Sequence, residues 1–471
     1  MPVTPYRIHP FQGRKDLYQF LSVFQQKSVE KNRAQIATFC LEIDPIDPLA
    51  ILQEMARPDQ VHFYLEKPFE HEAIAAIGTA TSLETSGQQR FAKIQDFLEQ
   101  CADQFTTLNF ASLLVQPRFF CTFTFFDETE PEASFPAARV FLPRWQVLQK
   151  DNRTTVLANL LLHPNRNLEQ ATEELWQEFQ IIQRVKFAPF QLAHPLHTAL
   201  KNWQILDSNN FQTVVQSALH CIHQKHLNKL VLAHAIDVVA RMPFDWVYSL
   251  HHLRQVHPDC YIFSTSNGSN RSFIGASPER LLRVHNQLLE TDALAGSFPR
   301  GQTTVEDANL AQQLLSSQKE RHEHQLVVDF ICDRLHQLGL VPQFAPVPVL
   351  FPLSNIQHLH TPIRATLPTH LHPLQVLAEL HPTPAVAGLP RDVACQEIKR
   401  YEGFGRSLYA APLGWIDLQG NAEFIVGIRS ALIDQHRARL YAGAGIVVGS
   451  DPQRELAEIK LKFQALLNAL V

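Results

Sequence analysis

The chain lacks most of the features that would assign it at a glance. Its cysteines, Cys40, Cys101, Cys121, Cys221, Cys260, Cys332 and Cys395, are scattered, odd in number and free of any C-x-x-C pair. That argues against a disulfide framework and for reduced thiols in a cytoplasmic setting. No run of about 18 apolar residues occurs, so no membrane span is expected. Lys and Arg (41) do not outnumber Asp and Glu (46), and the net charge is −5, so the electrostatic footprint of a nucleic-acid binder is missing. The opening "MPVTPYRIHPFQGRKD" shows no charged-then-apolar leader pattern. No internal repeat or low-complexity linker is visible. What remains is a chain of 471 residues, 45% hydrophobic, with ample material for a large core. At this size an enzyme is the expected kind of protein, as a monomer or a homodimer.

The first 190 residues or so are rich in Phe and Gln and poor in chemistry. Within them, residues 138–162 alternate, turn at Asp151-Asn152 and alternate again, which predicts two strands. Residues 167–187 and 210–227 have helical spacing, and "NKLVLAHAIDVVA" after them is β-branched enough for a strand. From there the signals are dense. Residues 259–284 read as strand, Asn-Gly turn, strand, Ser-Pro turn, strand. Residues 285–301 form a strand ending in a Gly loop, and 303–338 form one helix or two. "LHPTPAVAGLPRDVA" is a Pro-rich loop entering a helix; residues 408–447 are antiparallel strands; "QRELAEIKLKFQALLNAL" is a closing helix capped by Ser450 or Asp451. Strands and helices without strict alternation point to α+β layering. The expected division is an N-terminal portion, 1–190, completing a sandwich whose catalytic portion is 191–471, the two intertwined as one domain.

Chemistry concentrates in "KERHEHQLVVDFI", residues 319–331. His322 and His324 are two apart and point about 200° from each other on a helix, so the H-E-x-x-H zinc pattern fails. Glu320 and Glu323 are i,i+3 and share a face, and the closing helix repeats this with Glu455 and Glu458, followed at i+4 by Lys462. Two such faces brought together make an oxygen-only set suited to Mg²⁺. Solvated helix faces carry the same spacing by chance. Lys229 opens an apolar strand, either as a snorkelling edge residue or as a desolvated general base. Glu279, in "GASPERLL", is either a turn carboxylate paired with Arg280 or a partly buried acid able to donate a proton. In "YAGAGIVVGSDP", Gly443 and Gly445 leave room for an anion or for tight strand packing; neither a Walker A loop nor a Rossmann fingerprint is present. Arg429, in "VGIRSAL", is placed to grip a carboxylate.

The order of these motifs, from "KLVLAHAI" through "FIGASPERLL", "ETDALAGSFPRG", "KERHEH", "LHPTPAVAGLPR", "SLYAAPLGWID" and "YAGAGIVVGSDP" to the closing E-x-x-E-x-x-x-K, resembles the chorismate-utilising enzymes over roughly residues 205–465. That family includes isochorismate synthases, salicylate synthases, anthranilate synthase component I and aminodeoxychorismate synthase. The resemblance implies an α/β sandwich of two packed antiparallel sheets with helices outside. It implies Mg²⁺ on Glu323 and Glu458, reached through water by Glu320 and Glu455, with chorismate as substrate. It implies Lys229 as general base and Glu279 as general acid. Gly296, His358, Ala385, Tyr409, Arg429, Gly443, Gly445 and Lys462 match substrate-binding positions.

Members using ammonia generally lack the lysine matching Lys229, so the resemblance points to water as nucleophile. Ala385, where salicylate synthases tend to carry Thr, points to the isochorismate synthases. The flanking motifs are most similar to those of members serving menaquinone or phylloquinone synthesis. His234 departs from a common Arg, Ser407 and Ala411 from common Gly, and "EIKLK" lacks the usual Thr; these bear on substrate affinity rather than reaction class. The implied reaction needs an amine without its proton beside a carboxyl that keeps one. A salicylate synthase is the alternative, and a catalytically dead scaffold a third reading.

Overall fold

The computed structural model describes residues 13–105, 115–130, 133–185, 203–207 and 210–470. The expected boundary at residue 190, most of the N-terminal stretch read for a leader pattern and the end of the helix expected over 167–187 lie outside these residues. Every ladder among the named strands is antiparallel, and two long strands, Glu72–Thr85 and Ala138–Lys150, run through both sheets. Their pairing shifts register at Thr79/Thr81, where Gly78 takes φ +66° and Pro143 stands opposite. A positive φ and a missing N–H at one point make a corner, and the strands pass there from one sheet to the other.

On one side of the corner the order is Gln35–Ile43, Arg153–Leu162, Ala138–Lys150, Glu72–Thr85, His62–Lys67, Tyr261–Ser266, Arg271–Ser277, Ser430–Asp434, Arg437–Val447 and Lys229–Val239. On the other, the same two long strands continue into Arg118–Phe123, Pro412–Asp417, Ala422–Val426, Arg280–His285, Leu288–Pro299, Ile356–Thr366 and Val349–Pro352. The two sheets share an apolar interior; the Phe63 ring of the first lies 5.1 Å from Phe120 of the second. This is the expected α+β sandwich, with the addition that its sheets are one continuous ladder.

Local elements follow local chemistry. Asp151 and Asn152 both take positive φ (48° and 62°) at the hairpin turn, where such residues tolerate the left-handed region. Asn167, Asn210 and Asp451 cap the helices Leu168–Arg184, Phe211–His223 and Pro452–Leu467; Asp451 is the cap of the closing helix, while Ser450 Oγ accepts from Val447 N. Helix Gln318–Gln337 starts at Ser317, whose side chain accepts from Glu320 N. It buries Val327, Val328, Phe330, Ile331 and Leu335 against the strand Leu288–Pro299 and its surroundings, with Glu320, Glu323 and His324 buried as well. Carboxylates on an otherwise apolar face are costly unless something polar meets them, and this places the site.

Candidate active site

One cleft of roughly 900 Å³, its open mouth included, is lined by Glu279, Gly296, Glu320, Glu323, His358, Ala385, Tyr409, Arg429, Gly443, Gly445, Glu455, Glu458 and Lys462. Lys229 lies behind this lining, fully buried, with Nζ 2.8 Å from Glu323 Oε1 though not aligned as a hydrogen bond. Every residue to which the resemblance gives a catalytic, metal or substrate role is therefore at one place. Lys229 is no edge residue: its backbone pairs with Val447 on one side and Leu389 on the other.

Glu279 follows the strand Arg271–Ser277, and its backbone is pinned on both sides. Its N–H donates to Ser277 Oγ at 3.2 Å, and its carbonyl accepts from Val426 N at 3.1 Å. The side chain is buried, and burial pushes its carboxyl up to about 8, with Lys229 opposing the shift and Asp292 adding to it. Arg280 does not pair with it; that guanidinium turns to Glu290 and Asp292.

The helices Gln318–Gln337 and Pro452–Leu467 bring their Glu-x-x-Glu faces to the same cleft. Glu320 is raised by burial and by Glu323, with Lys319 and the Ser297 N–H pulling the other way. Glu455 is raised by burial and by Glu458, with Lys319 and Ser450 opposing. The carboxylates thus crowd one another, and lysines answer them. Lys319 Nζ lies 3.3 Å from Glu455 Oε1 and 3.6 Å from Glu320 Oε1, bridging the two helices. Lys462 Nζ lies 2.7 Å from Glu458 Oε1 and donates to the Gly443 carbonyl at 2.7 Å. Among the described residues no three His, Cys, Asp or Glu side chains are grouped as a ready metal shell. The donor set nevertheless fits a hard divalent cation: oxygen only, four carboxylates, like charges pressed together. The histidines of the motif stand apart from it. His324 is buried with Nε2 2.8 Å from Thr361 Oγ1, and His322 is exposed.

The opposite chemistry lies across the cleft lining. Arg429 takes φ +49° and puts Nη2 3.0 Å from His358 Nε2, while His358 Nδ1 meets Ser297 Oγ at 2.8 Å. Burial and the Arg429 charge hold His358 well below its ordinary range, so the ring is neutral and its Nε2 accepts from Arg429. Arg429 Nη1 is buried without a hydrogen-bond partner in the structure, while the guanidinium as a whole also interacts with the Cys260 thiol. An unpaired buried guanidinium donor calls for an anion. Tyr409 stacks on Tyr441 at 5.2 Å between centroids.

The two glycines act by what they leave out. A Cβ on Gly445 would stand 2.6 Å from Glu323 Oε1 and 3.2 Å from Lys229 Cε; one on Gly443 would stand 2.7 Å from the Tyr409 hydroxyl. They make space for side chains on a strand paired with the Lys229 strand. Gly445→Ala is expected to fold but to displace the Lys229–Glu323 pair, lowering kcat by about 10–10² as misplaced groups do; steady-state kinetics beside a thermal melt checks this. Gly296, at φ +78° on a bulge, lets the Glu320 backbone approach to within 3.1 Å of where its Cβ would lie.

Among the polar lining residues, sequence reasoning missed Lys319, Ser297 and Tyr441. Tyr441 was findable: it shares the alternation of Gly443 and Gly445 on one strand face. Lys319 was not, since neighbours on a helix point about 100° apart and only its long stem brings it round.

The sequence profile of the chorismate binding enzyme family matches residues 22–471. A salicylate biosynthesis isochorismate synthase of Pseudomonas aeruginosa is 36% identical over 445 residues, covering 93% of this chain and 91% of its own. The solved structure of MenF, the menaquinone-specific isochorismate synthase of Escherichia coli, matches with a TM-score of 0.77 at 28% identity, over 96% of this chain and 100% of its own. Anthranilate synthase component I from Streptococcus pneumoniae, 19% identical with a TM-score of 0.66 over 84% of this chain and 92% of its own, shares the fold. The chain belongs to the chorismate-binding enzyme family, close to its isochorismate synthases.

Proposed function

We propose that this protein is a Mg²⁺-dependent isochorismate synthase that adds water at C2 of chorismate and releases the C4 hydroxyl, with quinone synthesis as the route it serves. The observation that carries the reading is the meeting, at one cleft, of a wholly buried amine and a buried carboxyl whose proton is held to about pH 8. An amine able to take a proton beside an acid that keeps its own is what a hydroxyl transposition needs.

Arg429 Nη1, steadied by His358 and Ser297, grips a substrate carboxylate. Glu323 and Glu458, with Glu320 and Glu455 behind them, would hold Mg²⁺, which neutralises the ring carboxylate when bound. Lys229 accepts a proton from the water that attacks C2, and Glu279 gives its proton to the departing C4 oxygen. One water enters, one leaves and the ring double bonds shift, so no redox partner is required. Ala385 and Gly296 leave the ring room.

The quinone route is supported by the likeness of "SLYAAPLGWID" and "YAGAGIVVGSDP" to quinone-pathway members and by the full-length match to the menaquinone-specific structure. The Pseudomonas aeruginosa relative is named for salicylate biosynthesis instead, so the product itself is the discriminating observable. Incubation with chorismate, with and without Mg²⁺, followed by HPLC is expected to give isochorismate that vanishes with a chelator. Salicylate and pyruvate together would move the protein to the salicylate synthases; no Mg²⁺-dependent product would overturn the reading.

A further inference from the structure

Behind the cleft lies an ion pair that the reaction does not use. Arg406 is 1% exposed and Glu402 9%. Arg406 donates from Nε to Glu402 Oε2 at 2.8 Å and from Nη2 to Oε1 at 2.5 Å. Its remaining bonds go to backbone: Nη1 to the Val386 carbonyl at 2.7 Å and Nη2 to the Val231 carbonyl at 2.9 Å. Glu402 Oε1 also accepts from Ala233 N at 2.7 Å, and the guanidinium lies 4.3 Å over the Phe125 ring. The Arg406 carbonyl accepts from Tyr409 N at 2.8 Å.

All but Ala233 of the residues whose backbone is held this way line the cleft. Val231, Val386 and Tyr409 line it, Ala385 precedes Val386, and Lys229 lies two residues before Val231. Taking two charges fully out of water is a poor way to gain stability, because desolvation offsets most of the attraction. A planar fork with fixed donor directions is a good way to set distances between backbone segments.

We propose that Glu402 and Arg406 are positioning residues, a clamp that sets the width of the substrate cleft by tying the Val231 segment, the Ala385–Val386 loop and the Tyr409 turn together. The proposal rests on the isochorismate synthase reading for its probe, chorismate. Lys229 and Glu279 are pinned by other bonds, to Val447, Leu389, Ser277 and Val426. Loosening the clamp therefore acts on substrate binding more than on chemistry.

The test uses the full chain with two variants, Arg406→Lys and the double variant Glu402→Leu/Arg406→Met. An ammonium cannot reproduce the planar fork, so Arg406→Lys is expected to raise KM for chorismate by on the order of tenfold, with kcat within about threefold. The double variant leaves no unpaired charge but strips Ala233 N and the Val231 and Val386 carbonyls of a partner, so it is expected to fold with a lowered melting temperature and a raised KM. A purely structural pair would lower the melting temperature in the same way and leave the KM of the folded protein unchanged, so KM is the discriminating readout. KM within about twofold of wild type in both variants, or failure of both to fold, would overturn the clamp. Absence of turnover in the wild type would overturn the functional reading, and the clamp with it; turnover with an unchanged KM sinks the clamp alone.

Discussion

Lys229→Met is expected to lower kcat for isochorismate formation by a factor of about 10²–10⁴, the range for loss of a general base. Methionine fills a similar unbranched volume, so the strand that carries it, paired on both sides, is expected to persist. Two effects are mixed in this variant. It removes the amine, and it removes the counter-charge 2.8 Å from Glu323, leaving a carboxylate at the cleft without its partner. Lys229→Arg separates them. A guanidinium keeps the positive charge but does not give up its proton in a protein, so it can answer Glu323 and cannot act as a base. If Lys229 serves as the base, Lys229→Arg is as inactive as Lys229→Met. Recovery to within about tenfold of wild type by Lys229→Arg would assign the residue to charge balance alone. Steady-state kinetics on both variants, with circular dichroism to verify folding, decides the matter.

The same residue shows where sequence reading stops. A lysine opening an apolar strand reads locally as an edge residue with its head in water. Its burial comes from elsewhere: the Gly-rich strand Arg437–Val447 and Gly388–Leu389 pair on either side of it, and a helix much later in the chain supplies Glu323. No local pattern encodes that. Hairpins and caps were legible because their causes are local, as with Asp151-Asn152 and Asn167. The corner at Gly78 was not, since a glycine becomes a corner only when Pro143 stands opposite the next residue, Thr79. The candidate site was legible chiefly through motif order. Taken singly, Glu-x-x-Glu spacing and a Gly-x-Gly pair admitted bland explanations; for the glycines the geometry shows that a Cβ would collide with Glu323 or the Tyr409 hydroxyl. Lys319, Ser297 and the Glu402–Arg406 pair went unseen because each acts through contacts between segments distant in sequence.

Glu279→Gln is expected to match Lys229→Met in severity, again about 10²–10⁴ in kcat, and to change the pH profile in a way the lysine variants do not. A general acid works only while it holds its proton. With its carboxyl raised to about 8, Glu279 is competent below that pH and loses competence as pH climbs through it. For wild type, kcat/KM is expected to fall on the alkaline side with an apparent pKa near 8, a limb that belongs to the free enzyme. Glutamine has no proton to lose there, so the residual activity of the variant should lack that limb. Stability carries the same signature. Between the ordinary carboxyl value of 4.5 and about 8 the folded protein binds a proton at Glu279 that the unfolded chain does not, so the slope of unfolding free energy against pH is negative for this group. Its contribution is fully present below the unfolded value and is lost as pH rises through the folded one. Glu320 and Glu455 are raised too, so the wild-type curve alone is not specific. The difference between wild type and Glu279→Gln is specific, and it should move in favour of the variant as pH rises from acid to about 8 in urea unfolding. An alkaline limb that survives in Glu279→Gln would take the proton-donor role away from this residue, whatever the loss in kcat.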